Sequence, residues 1–198
     1  MTSHPITRVE YESKAVGGVV ALVCAGWVAV ALVHPTAFSG DDNRTWLVVH
    51  VAQLAFAPIV AVGILHLLQA MEGAGAAVGR AAAVAWAAWF AAYDAMAGIA
   101  TGVLARGDAV EPARYLFDHG LVIALGWIAP AMWVLASLGT ALALRRSGAR
   151  MVTQVAMASS VLIFLHAGLP AAVGFGALAV AVWTGLAAGL PRERRPAH

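Results

Sequence analysis

Residues 80–104 read RAAAVAWAAWFAAYDAMAGIATGVL, 25 positions in which Asp94 is the only acidic or basic side chain after the initial Arg80. At 1.5 Å per residue, about 20 apolar residues cover the roughly 30 Å hydrocarbon core of a bilayer, so this stretch is long enough to cross as one helix. Ionising a carboxylate at that depth costs roughly 2.5–3.5 kcal/mol on insertion scales, which directs Asp94 toward protein or a wet cavity rather than lipid. The positions three, four, seven and eight beyond it are Ala97, Gly98, Thr101 and Gly102. They make a small-residue face with a GxxxG spacing, where another helix can come close.

The rest of the chain agrees with a membrane setting. It is 62% hydrophobic and 11% charged, against about 25% charged in soluble domains. Its one cysteine, Cys24, lies in an apolar run, so no intramolecular disulfide forms. The basic residues are scattered over connections and tails without aromatic interleaving, which excludes a nucleic-acid surface and points to membrane orientation. No phosphate-binding glycine loop, HExxH, CxxC or nucleophile elbow is present.

Hydropathy predicts an all-α integral membrane protein, a six-transmembrane-helix bundle with N and C termini cytoplasmic. The spans fall at about 15–34, 45–70, 80–104, 119–144, 151–168 and 170–190, between a tail at 1–14 and a tail at 191–198. The last two come from one apolar run of about 40 residues, twice the length of a single span, broken at His166-Ala-Gly-Leu-Pro170. Residues 72–79 read as a glycine-rich connector, and 105–118 as the longest polar connection, with a short interfacial helix after Pro112. Trp46 is expected as an interfacial anchor, and Pro58 and Pro130 lie within spans. Nine Lys and Arg then fall on the inner side and three (Arg44, Arg106, Arg114) on the outer. This positive-inside bias places the chain as a multi-pass protein of a bacterial-type plasma membrane.

In that orientation the histidines sort by depth. His34 ends the first span at the outer face, and His50 lies roughly 7 Å below the outer end of the second. His119 opens the fourth span from outside, and His166 stands in the outer third of the fifth. Asp94, the only acidic residue in any predicted span, sits beneath them. Gln53 is one turn below His50 on the same face, and Tyr93 and Asp118 are candidate supporting partners. His66 belongs to the inner boundary as an interfacial residue, and His4 and His198 are in the tails. Trp86, Trp89, Trp127, Trp133 and Trp183 are expected to fill gaps between helices or to sit at interfaces.

Three kinds of function fit these residues. In the first, His34, His50, His119 and His166 hold a metal ion (Zn, Cu or Fe), with Asp94 as catalytic base of a membrane oxidoreductase or metal-dependent enzyme. A haem b version needs two axial histidines, His50 with His119 or His166. In the second, no metal is bound and Asp94 and the histidines line a path for a proton or small solute. In the third, the chain is an accessory subunit among membrane lipids, with the GxxxG faces Gly98/Gly102 and Gly185/Gly189 supporting a homo- or hetero-oligomer.

Overall fold

The computed structural model describes residues 8–35, 38, 43–165 and 167–187, and these contain helices and connections but no strand. The helices are α1 (Arg8–Val33), α2 (Asn43–Leu68), α3 (Ala74–Arg106), α4 (Val110–Phe117), α5 (Gly120–Arg146), α6 (Met151–Leu165) and α7 (Gly168–Ala187). Five of them, α1, α2, α3, α5 and α7, contain stretches long and apolar enough to cross a membrane. The fifth span expected from sequence, 151–168, is instead the shorter α6. Its first part, Met151–Ser159, is α-helical, and Ser160–Leu165 is 3₁₀. Because a 3₁₀ helix rises faster per residue, α6 reaches about 25 Å, short of the roughly 30 Å core.

Two boundaries differ from the sequence reading: α1 begins at Arg8, inside the stretch expected as a tail, and α3 begins at Ala74. Residues 74–79 are not a connector but the first turns of α3. Glycine is favourable there because α3 and α5 touch backbone to backbone: a Cβ on Gly139 would stand 2.8 Å from the Gly79 nitrogen and 3.0 Å from the Gly75 carbonyl oxygen. Small residues allow such an approach, and the gain is dispersion rather than burial from water. The break in the last apolar run comes at Gly168, which has φ +74° and opens α7. Pro170 thus occupies the first turn, where no backbone N–H is needed. The short helix expected after Pro112 is α4, with Pro112 in its first turn.

α2 is central, touching α1, α3, α5 and α7, while α7 packs on α1 and α6. Aromatic rings fill the middle of the bundle. Trp27 stacks on Phe175 at 4.4 Å between centroids, and Trp86 meets Trp133 at 4.6 Å. The Trp133 indole N–H donates to the Ser160 carbonyl at 2.8 Å, where α6 tightens into its 3₁₀ turn. Trp89, Trp127 and Trp183 face outward. At the end opposite the site described next, the Arg80 guanidinium donates to the carbonyls of Leu68 (2.8 Å) and Met71 (3.0 Å), closing the C-terminus of α2. His66, expected at an interface, is partly buried with its Nε2 3.4 Å from the Ser13 hydroxyl.

Candidate functional site: a buried histidine–carboxylate cluster

Asp94 opens a π-helical segment, Asp94–Ala100, within α3. A π turn bonds i to i+5 rather than i+4, so it displaces the following residues around the axis and disturbs the hydrogen-bond ladder. In lipid, displaced carbonyls need other donors. The Thr101 backbone N–H reaches the carbonyls of Met96 and Gly98, and two side chains add further donors. The Trp46 indole N–H is shared between the carbonyls of Ala97 (3.2 Å) and Gly98 (3.0 Å), and the Thr101 hydroxyl donates to the Met96 carbonyl at 3.0 Å. Trp46 is therefore buried structure rather than the interfacial anchor its position near a span end suggested.

The π segment presents Asp94, Ala97 and Gly98 to α2. A Cβ on Gly98 would overlap the His50 ring, and one on Gly102 would stand 3.2 Å from the Trp46 ring. The Gly98/Gly102 face is thus used inside the chain, as the seam that admits an imidazole. Gly185 of the second GxxxG likewise lies against Leu67 of α2, and Gly189 is outside the described residues.

His50 and Asp94 face each other across this seam, with Nε2 4.0 Å from Oδ1 and both side chains essentially inaccessible. His34 joins from the end of α1, its ring edge-to-face with His50 at 4.9 Å between centroids. The tautomers follow from the partners. His34 Nδ1 lies 2.7 Å from the Pro35 carbonyl, and His50 Nδ1 lies 2.7 Å from the Trp46 carbonyl. A carbonyl only accepts, so each Nδ1 carries the hydrogen, and in the neutral rings the lone pair is on Nε2. Gln53, one turn along α2 from His50, is fully buried, and neither its amide nor the Asp94 carboxyl oxygens have a hydrogen-bond partner among the described residues. Buried polar atoms without protein partners call for a bound water, ion or ligand. Above the histidines, Trp46, Phe38 and Phe117 form an aromatic cover, with centroid separations of 5.2 Å for Phe38–Trp46 and 5.8 Å for Trp46–Phe117.

Three of the expected site residues therefore meet: His34, His50 and Asp94. His119 does not join them. It is an exposed N-cap of α5, its Nδ1 accepting from the Leu121 N–H at 3.3 Å and its ring 6.0 Å from Tyr115. His166 lies outside the described residues. Tyr93 and Asp118 come together elsewhere, around a cavity of about 230 Å³ between α3 and α5 that Phe117 and Trp127 also line. Among the described residues, no three His, Cys, Asp or Glu side chains are grouped as a metal site. The edge-to-face rings of His34 and His50 also leave no place for a porphyrin sandwiched between them, and His50 and His119 are divided between interior and surface.

Two features of the site escape a reading by helical periodicity. The π segment has no 3.6-residue signature, and Trp46 gives no sign in sequence that it faces inward. No protein-family model, curated protein or solved structure matches the chain.

Proposed function

We propose that the protein is a helical membrane protein that conducts protons, with His50 and Asp94 exchanging a proton at a buried site on a path through the bundle that is entered from the extracytoplasmic side. The carrying observation is the fixed tautomer of His50. With Nδ1–H committed to the Trp46 carbonyl, Nε2 is the nitrogen turned to the carboxyl group, 4.0 Å away. A protonated Asp94 donates toward Nε2, and an imidazolium donates back, so one proton has two homes. The gap is longer than a direct hydrogen bond and suits one bridging water or a small closing movement. His34, its own Nδ1 held by Pro35, extends the path toward the end of α1. A π segment at the acidic residue supports the reading, because such segments recur at functional sites. The merely structural alternative, a pair that glues α2 to α3, does not account for a carboxyl group and a buried amide without protein donors.

Proton movement tests it. Protein reconstituted in vesicles containing a pH-sensitive dye should equilibrate an imposed pH step several-fold faster than empty vesicles. Asp94→Asn, which keeps shape and removes the exchangeable acid, should return the rate to the background leak while the protein still folds. A wild-type rate equal to that of empty vesicles, or an unaltered rate in Asp94→Asn, would overturn the proposal.

A transition-metal ion is the second reading, favoured by the same Nδ1 contacts, since metal-binding histidines characteristically donate the other ring N–H to a carbonyl. His50 Nε2 and the Asp94 carboxylate would be its protein ligands, with water completing the shell, since His34 is not grouped with them as a third ligand among the described residues; imidazole with carboxylate suits iron, zinc or copper. The 4.0 Å gap is somewhat wider than two ligands held about 2.0–2.2 Å from one tetrahedral ion. Near-stoichiometric metal in protein purified without chelator, lost in His50→Ala, would favour this reading over proton exchange alone.

A further inference from the structure

The cavity between α3 and α5 carries chemistry of its own. Three aromatic residues from three parts of the chain, Tyr93 of α3, Phe117 of α4 and Trp127 of α5, line it, together with the carboxylate of Asp118. No Lys or Arg is among the lining residues. The basic side chain one turn before Asp118, Arg114, lies 3.9 Å from Glu111, and no described residue forms an ion pair with Asp118. Room for the Tyr93 ring comes from Gly126, where a Cβ would stand 3.0 Å from the ring. Trp127 is 66% exposed, so a large ring with a quadrupole stands at an open wall.

Aromatic faces attract cations, most strongly when several rings surround a weakly hydrated one, and a carboxylate at the rim adds charge without demanding a tight ion pair. The volume, about 230 Å³, lies below the roughly 300–1,000 Å³ of drug-sized pockets. It suits a small organic cation better than an extended ligand. We propose that this cavity binds an alkylammonium group, either of a free solute or of a lipid headgroup. An anion would meet Asp118, and a small inorganic cation would gain little from apolar walls in exchange for its hydration. Binding here is independent of proton exchange at Asp94, although Tyr93 adjoins Asp94 and Phe117 belongs to the cover over His34 and His50.

The test uses full-length protein in phosphatidylglycerol nanodiscs, titrated with radiolabelled choline. Saturable binding is expected, displaced by tetramethylammonium but not by 3,3-dimethylbutanol, the uncharged isostere of choline. Asp118→Asn and Trp127→Ala, both at exposed positions, should each weaken binding about tenfold, equivalent to about 1.4 kcal/mol. Repeating the titration in phosphatidylcholine nanodiscs separates the sources. Loss of choline binding there identifies the headgroup as occupant, and unchanged binding identifies a free solute. Absence of saturable binding in phosphatidylglycerol, equal competition by 3,3-dimethylbutanol, or unchanged affinity in both variants would overturn the proposal.

Discussion

α3 makes two close approaches, one near each end, and they use glycine for opposite purposes. Near its start, Gly75 and Gly79 meet Gly139 of α5 so tightly that backbone touches backbone. The helix is regular α there, and its polar content at the contact is one hydroxyl, Thr140. Toward its end, Gly98 and Gly102 meet α2 through side chains, the His50 and Trp46 rings occupying the space that a Cβ would take. Here the helix is π, its carbonyls are bonded by side chains, and a carboxyl group is buried. The first approach is a packing seam and the second a housing for a polar group. A GxxxG spacing is compatible with either, because it guarantees space without specifying what fills it.

The sharpest way to break this comparison is to add one methyl group at each contact. Gly98→Ala drives its Cβ into an imidazole pinned by the Trp46 carbonyl, so α2 and α3 must separate. It should destabilise by about 1–3 kcal/mol, the usual cost of overpacking, and abolish accelerated proton equilibration in vesicles. Gly139→Ala meets backbone atoms at 2.8 and 3.0 Å and should cost a similar 1–3 kcal/mol in thermal unfolding in detergent. The Gly139→Ala protein that does fold should equilibrate protons at the wild-type rate. Equal functional loss in both variants would show that the two seams are not distinct.

Trp46→Phe sharpens the role of the π segment. It keeps an aromatic ring beside His50 and removes the N–H shared by Ala97 and Gly98. A loss of about 1 kcal/mol is expected, together with faster amide exchange across 97–101. Unchanged exchange would mean that the π turn holds without the indole. Thr101→Val, close to isosteric, removes the bond to the Met96 carbonyl and should cost about 0.6 kcal/mol, typical of a single hydrogen bond inside a membrane protein. A loss several times larger in the same unfolding measurement would mark Thr101, rather than Trp46, as the main support of the turn.

What the amino-acid sequence determines here follows from the solvent. A chain in lipid must bond its own backbone, so long apolar runs become helices, and α1, α2, α5 and α7 fall close to their expected places. Depth is legible for the same reason: counting residues from a span end locates His34, His50 and Asp94 at compatible levels. Azimuth is not legible, because it depends on neighbours. His119 has a suitable depth and faces outward as a cap, whereas Trp46 has the depth of an anchor and faces inward. The glycines of 72–79 suggest a connector, but from Ala74 on the chain is helix, since α5 offers a partner close enough to make the missing side chain an advantage. The π segment is likewise a tertiary outcome. One added residue in a turn is tolerated where Trp46 of another helix and Thr101 beyond it bond carbonyls of the segment, which carries Asp94 at its start, opposite His50. Sequence alone decides which residues lie at the same level in the membrane; the packing of α2 against α3 decides which of them meet, because contact between helices depends on rotation and close approach as well as height.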